Sequence, residues 1–375
     1  MPAATTNVAF RDLARVHAIG REASRASVFQ ALDSVDFQRP SRLISDFESA
    51  WAEYCGVRHA VATSSGSTAL LLTFLALGIG PGDEILTVPN TFVATAEAAL
   101  VLGADVRLVD IDPTTLAIDQ ELAIAMIGER TRAVVPLHPF GRFARLDRLI
   151  EACSARGVAL VEEACHAHGA RRDGVLAGAA GDCGVFSFGP TKPLAGLGEG
   201  GAVVTDDDEL AERMRQFNNH GRAGGQHASL GLNFRIHPIE AAYLSTRLAL
   251  YPELVERRRE IAGRYNDAYR EYGVTGNTEV DHPDEHSYYV YVLAVPRRTR
   301  FCELLSAAGV GWDIHYPIAI HRQQAQLARF GELALPGCDD AQQRIVSIPM
   351  YDGLTDDEVA YVIRHVRNAL DELAS

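Results

Sequence analysis

The residue most able to do covalent chemistry is Lys192, set in GVFSFGPTKPLAGLGEGGAVVTDD where an apolar run ends at Ser187-Phe188 and a Gly/Pro-rich loop precedes the next run. Most lysines are solvated surface charges, because burying an ammonium is costly. A lysine framed by Gly189 and Pro190 is held by a constrained backbone instead. An amine so placed, with its proton affinity lowered by desolvation or by nearby cations, condenses with carbonyls as a Schiff-base nucleophile. A second segment, VATSSGSTALLLTFLALG, puts a Ser/Gly/Thr turn between a strand-like and a helix-like stretch. There the free N–H groups and the helix dipole suit a phosphate, although such a turn also starts helices merely by capping them.

Positioning these residues requires an ordered scaffold. From His59 to about Asn219, short apolar runs alternate with longer amphipathic stretches, the signature of β-α units feeding a mainly parallel sheet. Strands are expected at 60–63, 84–88, 106–109, 133–137, 158–162, 184–188 and 201–205, with helices at 68–77, 95–102, 120–127, 146–156 and 208–217. Beyond Arg235 the pattern changes to a long helix over 238–272, an alternating run HSYYVYVLAV at 286–295, a helix near 299–308, and a last helix over 356–373 capped by Thr355. The division expected is a large domain, 1–240, including an N-terminal helical segment, and a small C-terminal α+β domain, 241–375.

With 375 residues, 47% apolar and 22% charged, the chain reads as a globular protein with a large core. Its formal charge of −14 opposes a nucleic-acid partner. Six cysteines lack the spacing of a metal site or a disulfide framework, so no metal is expected and a reducing, cytoplasmic setting is. No stretch approaches the roughly 18 apolar residues of a membrane span.

Seven segments, in order, resemble the DegT/DnrJ/EryC1/StrS family of sugar aminotransferases, a branch of the fold-type I pyridoxal-phosphate (PLP) enzymes. They are FESAWAEYCGVRHAVATSSGSTALLL, GPGDEILTVPNTFVATAEAALVLGA, VEEACHAHGA, FSFGPTKPLAGLGEGGAVVTD, LGLNFRIHPIEAA, RRREIAGRY and SIPMYDGLTDDEV. The resemblance implies the PLP-transferase fold, with a mainly parallel seven-stranded sheet between helices. It makes Lys192 the lysine of the covalent internal aldimine with PLP, and the proton shuttle of transamination. By the same resemblance Gly66, Ser67, Thr68 and Ser187 would hold the phosphate, Phe92 would stack on the pyridine ring, and His166 would lie near the phenolic oxygen. Asn233 would reach the phosphate in the partner of a homodimer with shared sites; a turn asparagine is the alternative. Where the family carries Asp against the pyridine nitrogen this chain has Glu163, one methylene longer.

For substrates the resemblance implies an amino donor, glutamate or glutamine, and a keto-sugar acceptor. The spacing from Lys192 to Glu199, together with WDIHYPIAIHRQQA, is similar to relatives that aminate C3 of nucleotide-linked deoxysugars. His315, Tyr316 and His321 are the substrate-site candidates, with core or interface positions as the alternative. Arg235 is a candidate for anionic substrate groups or for a salt bridge in the dimer. Rival readings are a glutamine-dependent inosose aminotransferase and a catalytically silent regulatory scaffold. A pyridoxamine-dependent sugar dehydratase would carry histidine in place of Lys192.

Overall fold

The computed structural model describes residues 7–38, 40–274 and 280–374. Seven strands form one sheet: β1 (His59–Thr63), β2 (Glu84–Thr87), β3 (Asp105–Leu108), β4 (Thr131–Val135), β5 (Ala159–Glu163), β6 (Cys183–Ser187) and β7 (Gly201–Thr205). Each lies within two residues of its expected position. Their spatial order is β1-β7-β6-β5-β4-β2-β3. Strand β7 alone runs against the rest, pairing antiparallel with β1 and β6; the pairs β6-β5, β5-β4, β4-β2 and β2-β3 are parallel.

The inner strands β6 and β7 are buried at every residue because both faces of the sheet are covered there, whereas the edge strand β3 exposes Asp105 and Arg107. Successive side chains point to opposite faces. On β7, Ala202 and Val204 join Ile44, Phe47 and Trp51 of the helix Arg42–Cys55, whereas Val203 joins Leu70 and Leu72 of the helix Gly66–Ala76 in a different cluster. On β1, Ala60 and Ala62 divide from Val61 in the same way.

The helix Pro238–Tyr269 links two cores. Its first half packs Leu244, Leu248 and Tyr251 on the sheet cluster, while Ile261, Tyr265 and Tyr269 enter a second cluster with Phe301, Val346 and Val362. That second cluster encloses an antiparallel pair, β8 (Tyr291–Ala294) with β9 (Ile345–Ile348), and the helix Asp356–Ala374. Thr355 caps that helix, its hydroxyl accepting from Glu358 N while the Glu358 carboxylate accepts from Thr355 N. Residues from the start of the chain also belong here: Val8 pairs in parallel with Val310, and Val8 and Val16 are buried in the cluster.

The alternating run 286–295 is strand only from Tyr291. Before that its backbone bonds elsewhere: Ser287 N donates to Gly141 O at 2.8 Å, Phe143 N donates to Glu285 O at 2.7 Å, and Tyr288 takes a left-handed conformation, φ 51°. Gly141, itself at φ 106°, permits this docking, since a Cβ there would stand 2.8 Å from the amide nitrogens of Tyr288 and Tyr289.

Next to the site, the sheet rests on a fully buried carboxylate. Glu162 receives His138 Nε2 at 2.7 Å and the N–H groups of Gly178 (3.0 Å), Ala180 and Gly181 (both 2.7 Å). Because His138 Nδ1 accepts from Ala144 N, Nε2 is the nitrogen that donates. Burial raises the pKa of Glu162, but His138 and the glycine N–H groups outweigh it and hold the group below its ordinary value. Glu162→Ala strands these donors in a dry interior, and a loss of about 3 kcal/mol is expected from the urea midpoint. A loss under about 1 kcal/mol would show that the network is not structural.

Candidate functional site

A cavity of about 680 Å³ lies outside the carboxyl ends of β1, β2, β5 and β6, where open α/β sheets place their ligands. Its wall brings together Gly66, Ser67, Phe92, Glu163, His166, Ser187, Lys192, His315 and Tyr316, nine of the residues singled out in the sequence.

Lys192 is half-buried. Among the described residues its ammonium has no hydrogen-bond or ion-pair partner; it stands 5.3 Å from the centroid of the Tyr289 ring, a cation–π contact. It is also the only lysine in the chain, every other cationic side chain of Lys/Arg type being arginine. The loop that carries it is fastened at several points. Lys192 N donates to Gly189 O at 2.9 Å, and Gly196 N to Phe188 O at 2.8 Å. Farther along, the Glu240 carboxylate accepts Leu197 N at 2.8 Å and Gly198 N at 3.2 Å. Burial raises the pKa of Glu240 to about 7, against those two N–H bonds and with help from Glu199.

The helix Gly66–Ala76 points its N-terminus into the cavity. Ser65 caps it: Ser65 Oγ accepts from Thr68 N at 3.1 Å and Thr68 Oγ1 accepts from Ser65 N at 2.9 Å. The Gly66 and Ser67 N–H groups have no partner one turn back and remain open to an anion. Gly66 is fixed by close approach, because a Cβ would lie 2.8 Å from Ser187 Cβ. That approach brings the Ser187 hydroxyl to the helix end, beside the two N–H groups.

At the opposite side, Glu163 is buried at the end of β5, its carboxylate accepting Cys165 N at 2.8 Å and Thr91 Oγ1 at 3.4 Å. Phe92, 56% exposed, keeps a ring face free at the cavity edge. His166 stacks on Tyr289, with centroids 4.4 Å apart, and its Nε2 lies 3.0 Å from Tyr316 Oη. Burial first, then the charges of Lys192 and other neighbours, lowers its pKa well below the ordinary histidine value, so the ring is neutral. Burial also raises the Tyr316 pKa, keeping the phenol protonated. His166 Nδ1 is buried with no partner among the described residues, a polar atom that fits a ligand group. Open helix N–H groups, a serine hydroxyl, a buried carboxylate, a free aromatic face and an unpaired amine together fit PLP.

Four expected residues lie outside this wall. The Thr68 hydroxyl is committed to the cap just described. Asn233 and Arg235 line a separate cavity of about 960 Å³, where Arg235 Nε donates to Asn233 Oδ1 at 2.6 Å. His321 is buried in the turn Ile320–Arg322, both ring nitrogens unpartnered. Conversely, Tyr289, Thr91, Cys165 and Glu240 touch or brace the site without having been expected there. Only the uniqueness of Lys192 was open to a simple count.

The DegT/DnrJ/EryC1/StrS aminotransferase family profile matches residues 19–367. A dTDP-3-amino-3,4,6-trideoxy-alpha-D-glucose transaminase of Micromonospora megalomicea subsp. nigra is 34% identical over 94% of this chain and 97% of its own. A pleiotropic regulatory protein of Geobacillus stearothermophilus is 32% identical over 96% and 98%. Among solved structures, Streptomyces venezuelae DesV in complex with a ketimine intermediate superposes with a TM-score of 0.92 at 33% identity, covering 98% of this chain and 99% of that one.

The loop clasp has a pH signature. A carboxyl whose folded pKa lies near 7, above its ordinary 4.5, adds stability that is complete below pH 4.5 and is lost as the pH rises through 7. Glu240→Gln keeps an acceptor and removes the titration. At pH 8 it is expected to be more stable than the parent, by up to roughly 3 kcal/mol, and the two should converge near pH 4.5. Thermal melts across that range measure the difference; a constant offset would contradict the assignment.

Proposed function

This chain belongs to the DegT/DnrJ/EryC1/StrS aminotransferase family and is a PLP-dependent sugar aminotransferase; from that premise we propose that it transfers the amino group of glutamate or glutamine to a nucleotide-linked deoxysugar, at C3. The observation that carries the reading is the single lysine of the chain, standing unpaired between an open helix N-terminus and a buried carboxylate. Support for C3 comes from the 3-amino sugar named for the Micromonospora relative and from the spacing between Lys192 and Glu199.

In this proposal Lys192 holds PLP covalently through Nζ. Gly66 N, Ser67 N and the Ser187 hydroxyl would hold the phosphate, Phe92 would cover the ring, and Glu163 would meet the ring nitrogen. When bound, PLP supplies the electron sink that makes the substrate carbon acidic. Once the substrate amine had displaced it from the cofactor, the freed Lys192 Nζ would be placed to take the proton from the carbon bearing nitrogen and deliver it one position along, which asks the loop to return the amine to the same place in both half-reactions. Glu163, oriented by Thr91 and Cys165 N, would present a carboxylate oxygen to the ring nitrogen. Neutral His166 offers a hydrogen bond without adding charge. Tyr289, His315 and Tyr316 close the cavity from the proposed small domain, residues 241–375. Asn233, on an exposed loop with Leu230 at 91% exposure, is left to serve a second copy in a homodimer.

The test is a panel of glutamate and glutamine against nucleotide-linked ketosugars and inososes, with the product position read by NMR. A C3-amino deoxysugar nucleotide is the expected product; an aminocyclitol formed only from glutamine would overturn the acceptor and the donor together. Lys192→Ala is expected to lose at least about a thousand-fold in kcat, and Glu163→Gln about a hundred-fold with PLP still bound. A Lys192→Ala protein that keeps its turnover would refute the role given to the amine.

A further inference from the structure

The substrate named above is anionic whichever half-reaction is considered, and Arg235, the cation expected to meet it, faces another cavity. A different arginine reaches the site. The segment that opens the described chain is held against the C-terminal core by Val8 N to Gly309 O (2.9 Å) and Gly311 N to Val8 O (2.8 Å). It then passes the rim of the cavity, where the Phe10 ring lies 5.8 Å from His315. Arg11 follows with its guanidinium 4.9 Å from the centroid of Tyr289, the ring that Lys192 approaches at 5.3 Å. The two cations are therefore at most about 10 Å apart, on a ring that lines the cavity.

Arg11 forms no salt bridge among the described residues, although arginines elsewhere in the chain are widely paired with carboxylates. Its neighbours at the rim are aromatic: Tyr289, Phe10, and the rings of His166, His315 and Tyr316, whose pKa values its charge lowers. Asp313 pairs instead with His315, its Oδ2 3.7 Å from Nε2. The guanidinium also hydrogen-bonds the Tyr289 side chain, and with five N–H donors it keeps others for an oxyanion, the chemistry arginine uses for carboxylates and phosphates.

We propose that Arg11 is the substrate-binding residue that receives the oxyanion of the substrate, either a carboxylate of the amino donor or the diphosphate of the nucleotide-linked acceptor. This deepens the sugar-aminotransferase reading and rests on it. It also gives the start of the chain a function: the segment carries a specificity residue to a site built almost entirely by residues from Ser65 onward.

The experiment uses PLP-loaded full-length protein and two probes that cannot turn over, glutarate for the donor and dTDP for the acceptor, with binding measured by calorimetry. Arg11→Gln should weaken at least one probe by ten-fold or more, in line with the roughly ten- to hundred-fold worth of charge-assisted hydrogen bonds, while the melting temperature and the PLP absorbance stay as in the parent. Arg11→Lys, which keeps the charge without the planar fork, should fall between. The probe that weakens identifies the source of the oxyanion. Unchanged binding of both probes in Arg11→Gln, binding of neither by the parent, or a loss confined to protein with a lowered melting temperature would overturn the role. Because neither probe is a substrate, a failure of the transamination reading would appear separately, as absence of product in the donor and acceptor panel.

Discussion

An amine with no counter-ion among the described residues, half-buried in a cavity wall, must be held in place by its surroundings rather than by its own bonds. Lys192 meets that constraint with one favourable contact, the face of Tyr289, and a backbone loop closed on itself and fastened to Glu240. Each support comes from a different part of the fold. Tyr289 arrives because residues 286–290 dock on the chain reversal at Gly141, and Glu240 because a 32-residue helix starts beside the loop and runs on into the second core.

Burial shifts several of the groups around the amine, although at Tyr289 the charges of Lys192 and Arg11 outweigh it and lower the pKa. His166, His168 and His315 have lowered pKa values, with desolvation as the largest cause and the charge of Lys192 adding to each. Cys165 and Tyr316 are pushed upward by burial and keep their protons. The cavity wall is thus populated by neutral hydrogen-bonding groups, and its charge is concentrated in Lys192, Glu163 and Glu199, with Arg11 at the rim. A charged ligand entering this space finds few competing ions, which makes the placement of each remaining charge consequential.

Much of the fold was legible in the sequence because the sheet strands are short apolar runs separated by amphipathic helices, a local pattern. The places of candidate residues were legible where they sit at strand ends: Lys192 after β6, Glu163 at the end of β5, and Gly66 and Ser67 after β1 line one cavity because each follows the point where an apolar run stops. What escaped reading depends on chain segments meeting at a distance. HSYYVYV alternates like a strand, yet its first residues find their partners near Gly141, and this is what turns Tyr289 into the cavity. Arg11 looks like one surface arginine among many until Val8 pairs with Val310. Thr68 was read as a ligand donor, but the local demand of the helix cap takes its hydroxyl.

The central claim is that Nζ of Lys192 is the attachment point for PLP, and the absence of any other lysine makes the claim directly measurable. Borohydride reduction of the protein saturated with PLP, followed by peptide mass spectrometry, should fix one pyridoxyl group on the peptide that contains Lys192, with the visible absorbance lost in step. Reduction that leaves Lys192 unmodified, or that labels only the N-terminal amine, would contradict the account.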